Sequence, residues 1–284
     1  MEIRDLHIFG TVVEEGGIAR AARRLHRVPS SVTTRIQQLE AAVGAELFHR
    51  ERQRLHLSSS GELLLAYAEQ MLRLSDEARA ALAGDAPRGL LRLGSLEATA
   101  ASRLPGLLVQ FHRDHPAVRL SLQTGTNDAL TAAVAERRLD AAFVAEAPAL
   151  AGLAHAPLFK ERLVLVSHPD HPRIRRPEDA LDDTVLAFPE GCAYRRRLLR
   201  WLGDTRRPGA SVLDLGSYHA IVACAAAGVG IGVLPESVLD TLGHTAVARH
   251  ALPRAVGQLV TPLVWREGED TAALRALRTL LGRA

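Results

Sequence analysis

Ile18-Ala19-Arg20-Ala21-Ala22-Arg23-Arg24-Leu25, then His26-Arg27-Val28-Pro29, then Ser30 through Val43, is the stretch on which the fold turns. Its first part reads as an alanine-rich helix whose small side chains permit a close crossing by a second helix. A short break follows. Pro29 stops the preceding helix, because proline has no amide to donate and its ring clashes with the turn before it. Ser30 or Ser31 can cap the next helix. There Val32, Ile36, Leu39 and Val43 recur at steps of four, three and four, which makes one apolar face. The other side carries Ser31, Thr34, Arg35 and Gln38. An apolar back and a hydrogen-bonding front are what a helix needs to read base edges in the major groove.

Beyond this helix, Leu55 and Leu57 alternate with polar neighbours, as in a short hairpin strand. Arg50, Arg52 and Arg54 would stand on a wing beside the DNA backbone, with an ordinary solvated charge run as the competing reading. The net charge of the 284 residues is only +3, so its distribution matters more. Residues 16–56 hold eight arginines against Glu40, Glu46 and Glu51, a local basic excess suited to phosphate. A long helix is expected over 58–84, started by a hydroxyl from Ser58, Ser59 or Ser60. Along it Leu64, Tyr67, Met71, Leu74, Ala78 and Ala81 form a heptad seam. Such a seam predicts dimerisation through this helix, or packing on its own domain. Gly84-Asp85-Ala86-Pro87-Arg88-Gly89 reads as a hinge.

From residue 90 onward, short apolar strands alternate with helical stretches, which predicts an α/β fold with mostly parallel sheets. Strands are expected at 90–95, 118–124, 139–145, 162–166, 185–188, 212–215, 229–233 and 258–265. Helices are expected at 99–114, 127–138 and 271–281. No apolar run is long enough to span a bilayer, and the N-terminus lacks the plan of a secretory signal. The expected compartment is therefore the cytoplasm, with no membrane partner. Cys192 and Cys224, the two cysteines, imply no disulfide framework.

The segments Gly17-Ile18-Ala19-Arg20-Ala21-Ala22-Arg23-Arg24-Leu25-His26, Val32-Thr33-Thr34-Arg35-Ile36-Gln37-Gln38-Leu39-Glu40 and Gly44-Ala45-Glu46-Leu47-Phe48-His49-Arg50, with Gly61, resemble the signature of LysR-type transcription regulators. The resemblance implies an α plus α/β architecture: a winged helix-turn-helix over 1–58, a linker helix over 59–84 that dimerises, and a hinge over 85–89. An effector-binding domain over 90–284 would follow, built from two Rossmann-like lobes as in type II periplasmic binding proteins. Lobe I would hold about 90–161 and 266–284, and lobe II about 162–265. The implied partners are double-stranded operator DNA, a small-molecule effector and other copies of the chain, as a homodimer or a dimer of dimers. RNA polymerase is a further candidate. The sequence departs from the family pattern where Val28-Pro29 replaces a usual Ser-Gln and Thr33-Thr34 replaces a usual Ser-Arg, with Arg35 one place later. Ser58 stands where a threonine is usual.

The candidate DNA contacts are thus Arg20, Pro29, Ser30, Ser31, Thr33, Thr34, Arg35 and Gln38, with Arg50, Arg52 and Arg54 on the wing. In open α/β sheets ligands bind beyond the carboxyl ends of the strands, where helix N-termini present donors. The candidate effector contacts are therefore Ser95, Glu97, Thr99, Thr124, Thr126, Cys192, Tyr194, Arg195 and Ser217. Hydroxyls, amides and Arg195 suit a carboxylate or another anion, while capping of local helices is the competing role for each hydroxyl. No cofactor or metal is expected. Gly228-x-Gly230-x-Gly232 follows a helix and enters a strand, the reverse of a dinucleotide loop, and reads as close backbone packing. Cys192 and Cys224 read as small packing residues. His168 and His171 lack a second pair of metal ligands. No nucleophile–base pairing supports an enzyme on the two-lobed scaffold. A simple solute-binding protein would not need the first sixty residues.

Overall fold

The structure, a computed structural model, describes all residues except 52, 53, 83–85, 148, 149, 204–210, 244, 283 and 284, and leaves aside the side chains of residues 50, 51, 54, 77 and 80–82. Arg52 and the hinge residues Gly84 and Asp85 lie outside the described residues, as do the side chains of Arg50, Arg54 and Ala81. The chain divides into two compact units, Met1–Ala86 and Pro87–Ala284.

The first unit runs α1 (Ile3–Glu15), α2 (Ile18–Arg24), α3 (Pro29–Val43), β1 (Phe48–Glu51), β2 (Arg54–Leu57) and α4 (Ser59–Leu82). The apolar face expected on α3 is buried through Val32, Ile36 and Leu39, which share one core with Leu6, Phe9 and Val12 of α1 and Ala21 and Ala22 of α2. Burying each large aliphatic or aromatic side chain stabilises the unit by about 2 kcal/mol. Phe9 meets Phe48 edge-on at 5.4 Å, which pins the hairpin to the same core. The turn between α2 and α3 is made by His26, whose φ is 52°. One local expectation is corrected: Pro29 opens α3, Val28 is the capping position, and neither Ser30 nor Ser31 caps the helix. Proline suits this place because the first-turn amide has no helical partner anyway.

Two side chains tie the hairpin to its flanking helices. Glu40 Oε1 accepts the amides of Leu47 at 2.8 Å and Phe48 at 3.4 Å. Ser58 Oγ accepts the Gly61 amide at 3.0 Å and donates to the Glu46 carbonyl at 2.6 Å, so Ser58 starts α4. Gly61 has a steric cause. A Cβ there would sit 2.2 Å from the Leu47 carbonyl oxygen and 2.5 Å from Leu57 Cδ2.

The second unit runs β3 (Gly89–Ser95), α5 (Glu97–Ser102), α6 (Leu104–Asp114), β4 (Val118–Thr124), α7 (Asn127–Ala135), β5 (Ala141–Phe143) and β6 (Leu153–Ser167). It continues with β7 (Val185–Ala187), α8 (Ala193–Leu202), β8 (Val212–Asp214), α9 (Tyr218–Ala226), β9 (Ile231–Pro235), α10 (Glu236–Thr241), β10 (Ala248–Ala251), α11 (Arg254–Gly257), β11 (Gln258–Arg266) and α12 (Ala272–Leu281). The strands join in the order β4-β3-β5-β11-β6-β9-β7-β8, with β10 beside β6. β3 pairs in parallel with β4 and β5, and β7 with β8 and β9. These are the cores of two α/β lobes. Between them β6 and β11 run antiparallel to each other and to their neighbours, so the sheet is mixed.

β6 begins nine residues before the expected Arg162, because its first half mixes half-buried and exposed positions rather than forming an apolar run. The single helix expected over 99–114 is two, broken at Arg103 where Pro105 enters the first turn of α6. Leu274 and Leu277 of α12 pack with Leu91 and Leu93 of β3, so the chain's end returns to the first lobe. Gly230 is needed for contact: a Cβ there would lie 2.0 Å from the Thr184 carbonyl oxygen, which bears out the close-packing reading of that glycine run.

Candidate nucleic-acid interface and ligand cavity

On α3 the side opposite the buried face is open. Pro29, Ser30, Thr34, Gln37 and Gln38 are exposed, while Ser31, Thr33 and Arg35 stand at its margins. Gln37, not among the expected contacts, is exposed beside Thr34, which lies opposite the buried stripe. Thr33 Oγ1 donates to the Pro29 carbonyl and Thr34 Oγ1 to the Ser30 carbonyl, both at 3.0 Å. Each hydroxyl thus holds its own helix and keeps acceptor capacity outward. Arg35 reaches back to α1. Its guanidinium lies 3.5 Å from Asp5 Oδ1 of α1, and Asp5 is buried. Arg20 donates from Nε to the Glu15 carbonyl. Arg24 pairs with Glu14 at 2.8 Å and Glu15 at 2.9 Å. Part of the arginine excess therefore stays within the unit. On the hairpin, His49 and His56 are cross-strand partners with rings stacked at 5.8 Å, both exposed.

The second unit holds a cavity of about 430 Å3 at the carboxyl ends of the strands of both lobes, a size and position typical of small-molecule sites. Lobe I supplies Leu96 and Glu97 after β3, Thr124, Gly125 and Thr126 at the end of β4, and Ala145 after β5. Lobe II supplies Phe188 and Pro189 after β7, Cys192, Ala193 and Tyr194 at the start of α8, and Gly216 and Tyr218 at the start of α9. Five of the nine expected contacts are on this wall: Glu97, Thr124, Thr126, Cys192 and Tyr194. Four are not. Ser95 is fully buried with Oγ donating to the Leu96 carbonyl, and Thr99 is buried inside α5. Arg195 turns to Asp214 and the Phe188 carbonyl. Ser217 Oγ accepts the Ala220 amide at 3.2 Å, as a cap of α9. The apolar walls have no polar-turn signal in the sequence. Phe188 and Tyr218, with rings 4.7 Å apart and tilted by 58°, are the largest of them.

Burial pushes the Glu97 carboxyl up, against the favourable effect of nearby His219 and of the Tyr218 amide. It pushes the Cys192 thiol up as well, a direction that disfavours the thiolate. The lobes are latched beside the cavity. Arg196 meets Asp128 at 2.8 Å, and Arg197 Nε donates to Glu146 Oε1 at 2.8 Å, each an ion pair from α8 to lobe I. Among the described residues no cluster of three metal-ligating side chains occurs, and no helix is long and apolar enough to cross a membrane.

Two family models match the chain. Residues 3–62 match the bacterial regulatory helix-turn-helix protein, lysR family, and residues 84–284 match the LysR substrate binding domain. The chain is 39% identical to an uncharacterized HTH-type transcriptional regulator, YusT, of Bacillus subtilis (strain 168), over 99% of this chain and 94% of that protein. It is 34% identical to the HTH-type transcriptional regulator SoxR of Arthrobacter sp. (strain TE1826), over 99% and 96% respectively. Among solved structures, the LysR family transcriptional regulator CbnR superposes with a TM-score of 0.71 at 25% identity, covering 100% of this chain and 99% of that one. Full-length CbnR complexed with its target DNA gives a TM-score of 0.72, again at 25% identity, with the same coverage. The relatives are regulators rather than enzymes. With a reading helix in one unit and a two-lobed α/β fold in the other, the chain belongs to the LysR family of DNA-binding transcription regulators.

Proposed function

We propose that occupancy of the cavity between the two α/β lobes controls how this regulator engages its operator. The observation that carries this reading is the cavity itself, walled by both lobes and bridged beside its wall by ion pairs from α8. A ligand held by both walls shifts the lobe arrangement by its differential contacts with the open and closed forms. The base-reading contacts come from Thr33, Thr34, Arg35 and Gln38, with Ser30, Ser31 and Pro29 beside them and Arg20 against the phosphates. Support comes from the exposure of the open side of α3.

The regulator works as a homo-oligomer, a dimer or dimer of dimers, joined through α4. Along the seam Tyr67 and Leu74 are 53% and 63% exposed, with Met71 and Ala78 also exposed, whereas Leu64 packs partly on its own core. A narrow apolar stripe in water is relieved by a second copy of itself. RNA polymerase is the further protein partner, and the cytoplasm the compartment in which operator and polymerase are met.

The test is fluorescence anisotropy on the DNA upstream of the gene, with and without ligands found by thermal shift. A ligand that changes operator affinity in the wild type and not in Gly216→Leu is the expected result. A Cβ at Gly216 meets nothing within 4 Å, so a leucine there fills the cavity with little strain. A response that survives Gly216→Leu overturns the cavity as the effector site.

A further inference from the structure

The two lobes touch at two places of unlike chemistry. The first is the edge of the cavity where the start of α8 meets α7. At Gly191, whose φ is 88°, a Cβ would lie 3.0 Å from Thr126 Oγ1 and 3.8 Å from Asp128 Oδ2. The absence of a side chain there lets the lobes come this close. Arg196 then reaches Asp128, and Arg197 reaches Glu146, both at 2.8 Å. Each partner of the second pair is held by its own lobe. Arg197 donates to the carbonyls of Ala255 and Val256, and Asn127 Oδ1 accepts the Glu146 amide at 3.3 Å. Water reaches all four charged side chains. Ion pairs in that setting are weak and are screened by salt.

The second place is dry. α5 follows β3 in lobe I, α10 follows β9 in lobe II, and β6 joins the sheet between them. Glu161 of β6 has a side chain only 3% exposed. Arg103, just after α5, donates from Nε to Glu161 Oε1 at 2.8 Å. Ser237 of α10 donates to Glu161 Oε2 at 3.0 Å, and Ser102 of α5 meets the Ser237 hydroxyl at 3.2 Å. One buried carboxylate thus gathers both lobes. A buried charge that loses a partner is left uncompensated, so this junction resists parting. It also stands near the cavity. Burial first, and the charge of Glu161 next, push the Tyr194 phenol up, and α5 runs from Glu97 on the cavity wall to this cluster.

We propose that the lobes open on the α8 side, Gly191 parting from Thr126 and Arg196 from Asp128, while Arg103, Glu161 and Ser237 stay together as the pivot. This rests on the reading of the cavity as the effector site, to which the parting edge is the way in. Thr126 and Cys192 both line the cavity at that edge, so opening there uncovers it. Solvated ion pairs give way before a buried charged cluster does. A ligand that touches both walls then adds to the two ion pairs in holding the edge shut, which is the differential contact that shifts the lobe arrangement.

Cys192 reports the opening without any ligand. It is buried at the parting edge, whereas Cys224 of α9 is more exposed and does not line the cavity. Labelling of each thiol by N-ethylmaleimide is followed on the full chain by peptide mass spectrometry, with Cys224 as the internal control. Asp128→Asn and Arg196→Gln, each combined with Glu146→Gln, should speed Cys192 labelling by about fivefold. Cys224 labelling and amide exchange in α5 and α10 should not change. Arg196 acts on the Cys192 thiol through its charge. One variant frees that charge and the other removes it, so a rise in both reports opening rather than acidity. The wild type in about 1 M sodium chloride should show the same rise. Arg103→Met should instead speed exchange in α5 and α10; should it fail to fold, the milder Ser237→Ala is read in the same way. Cys192 labelling that neither the variants nor salt accelerate overturns the opening edge. Faster exchange of α5 and α10 in the Asp128 and Arg196 variants overturns the pivot. An effector response that survives Gly216→Leu removes the cavity as the effector site, while a ligand-free rise in Cys192 labelling still upholds the opening edge.

Discussion

The open side of α3 and the wall of the cavity are both rich in hydroxyl residues, yet they use them differently. On α3, Thr33 and Thr34 lie at an open surface, where water or DNA can still take their lone pairs. Around the cavity, Thr126 and Ser217 start helices. The unit that faces DNA keeps its polar groups available, and the unit that encloses a ligand has committed most of them to its own fold. A hydroxyl at a helix start is therefore weak evidence for a ligand.

The largest expected effect falls on one side of this contrast. Gly61→Ala places a methyl 2.2 Å from the Leu47 carbonyl, and relief requires the hairpin and α4 to part. We expect a loss of roughly 3 kcal/mol in the first unit, seen as faster amide exchange within residues 1–82 and unchanged exchange from residue 90 onward. Equal loosening of both units would show that they do not differ in this way. Arg35→Ala comes next, with operator affinity falling by about tenfold. Because Asp5 is then buried without its ion-pair partner, the melting temperature also drops. Asp5→Asn should do the opposite at the DNA face, freeing Arg35 and leaving affinity intact; a matching loss would make Arg35 structural.

Ser217→Ala tests the committed hydroxyls. The loss of the cap should cost about 1 kcal/mol of stability, with ligand affinity changed little, since Ser217 does not line the cavity. Thr126→Val removes a cap that also touches the cavity, so it should lower both. Equal losses of ligand affinity in the two variants would contradict the division between them. The smallest effect is on pH dependence. His250 is buried, Nδ1 accepts the Ile174 amide at 3.0 Å and Nε2 contacts Ser167 Oγ at 2.8 Å. Burial first, and the neighbouring His171 and Arg173 next, hold its pKa below the ordinary 6.5. The unfolded chain binds this proton more readily, so the contribution is complete above about pH 6.5 and is lost as pH falls through the folded value. Melting of the second unit should therefore decline below that pH, and His250→Gln should flatten the decline.

The reading helix was legible because Val32, Ile36 and Leu39 report their burial by spacing alone, and the polar front follows from helical phase. The fold of the second unit was legible in β7, a short apolar run, and in β4, where Val118, Leu120 and Leu122 alternate with polar residues. It was not legible in the first half of β6, which is strand by pairing with β11 rather than by composition. The cavity was half legible. Its address came from strand ends, and Glu97, Thr124, Thr126, Cys192 and Tyr194 line it. The direction of Arg195 was not, because a side chain at a helix start chooses among partners, here Asp214, that only the folded chain brings near. Phe188 and Tyr218 carried no signal, since an aromatic residue beside a strand or helix reads as core.

The close approach of Gly61 to the Leu47 carbonyl also has a mechanical meaning. With Ser58 reaching the Glu46 carbonyl and α4 pressed on Leu47, the hairpin and the start of the long helix are clamped together. Over its 24 residues α4 extends about 36 Å, so a tilt of about 10° at its far end swings the clamped end by roughly 6 Å. That is close to two base-pair steps, at about 3.4 Å each. The missing methyl group of one glycine would thus let the helix carry the hairpin with it as a rigid crank.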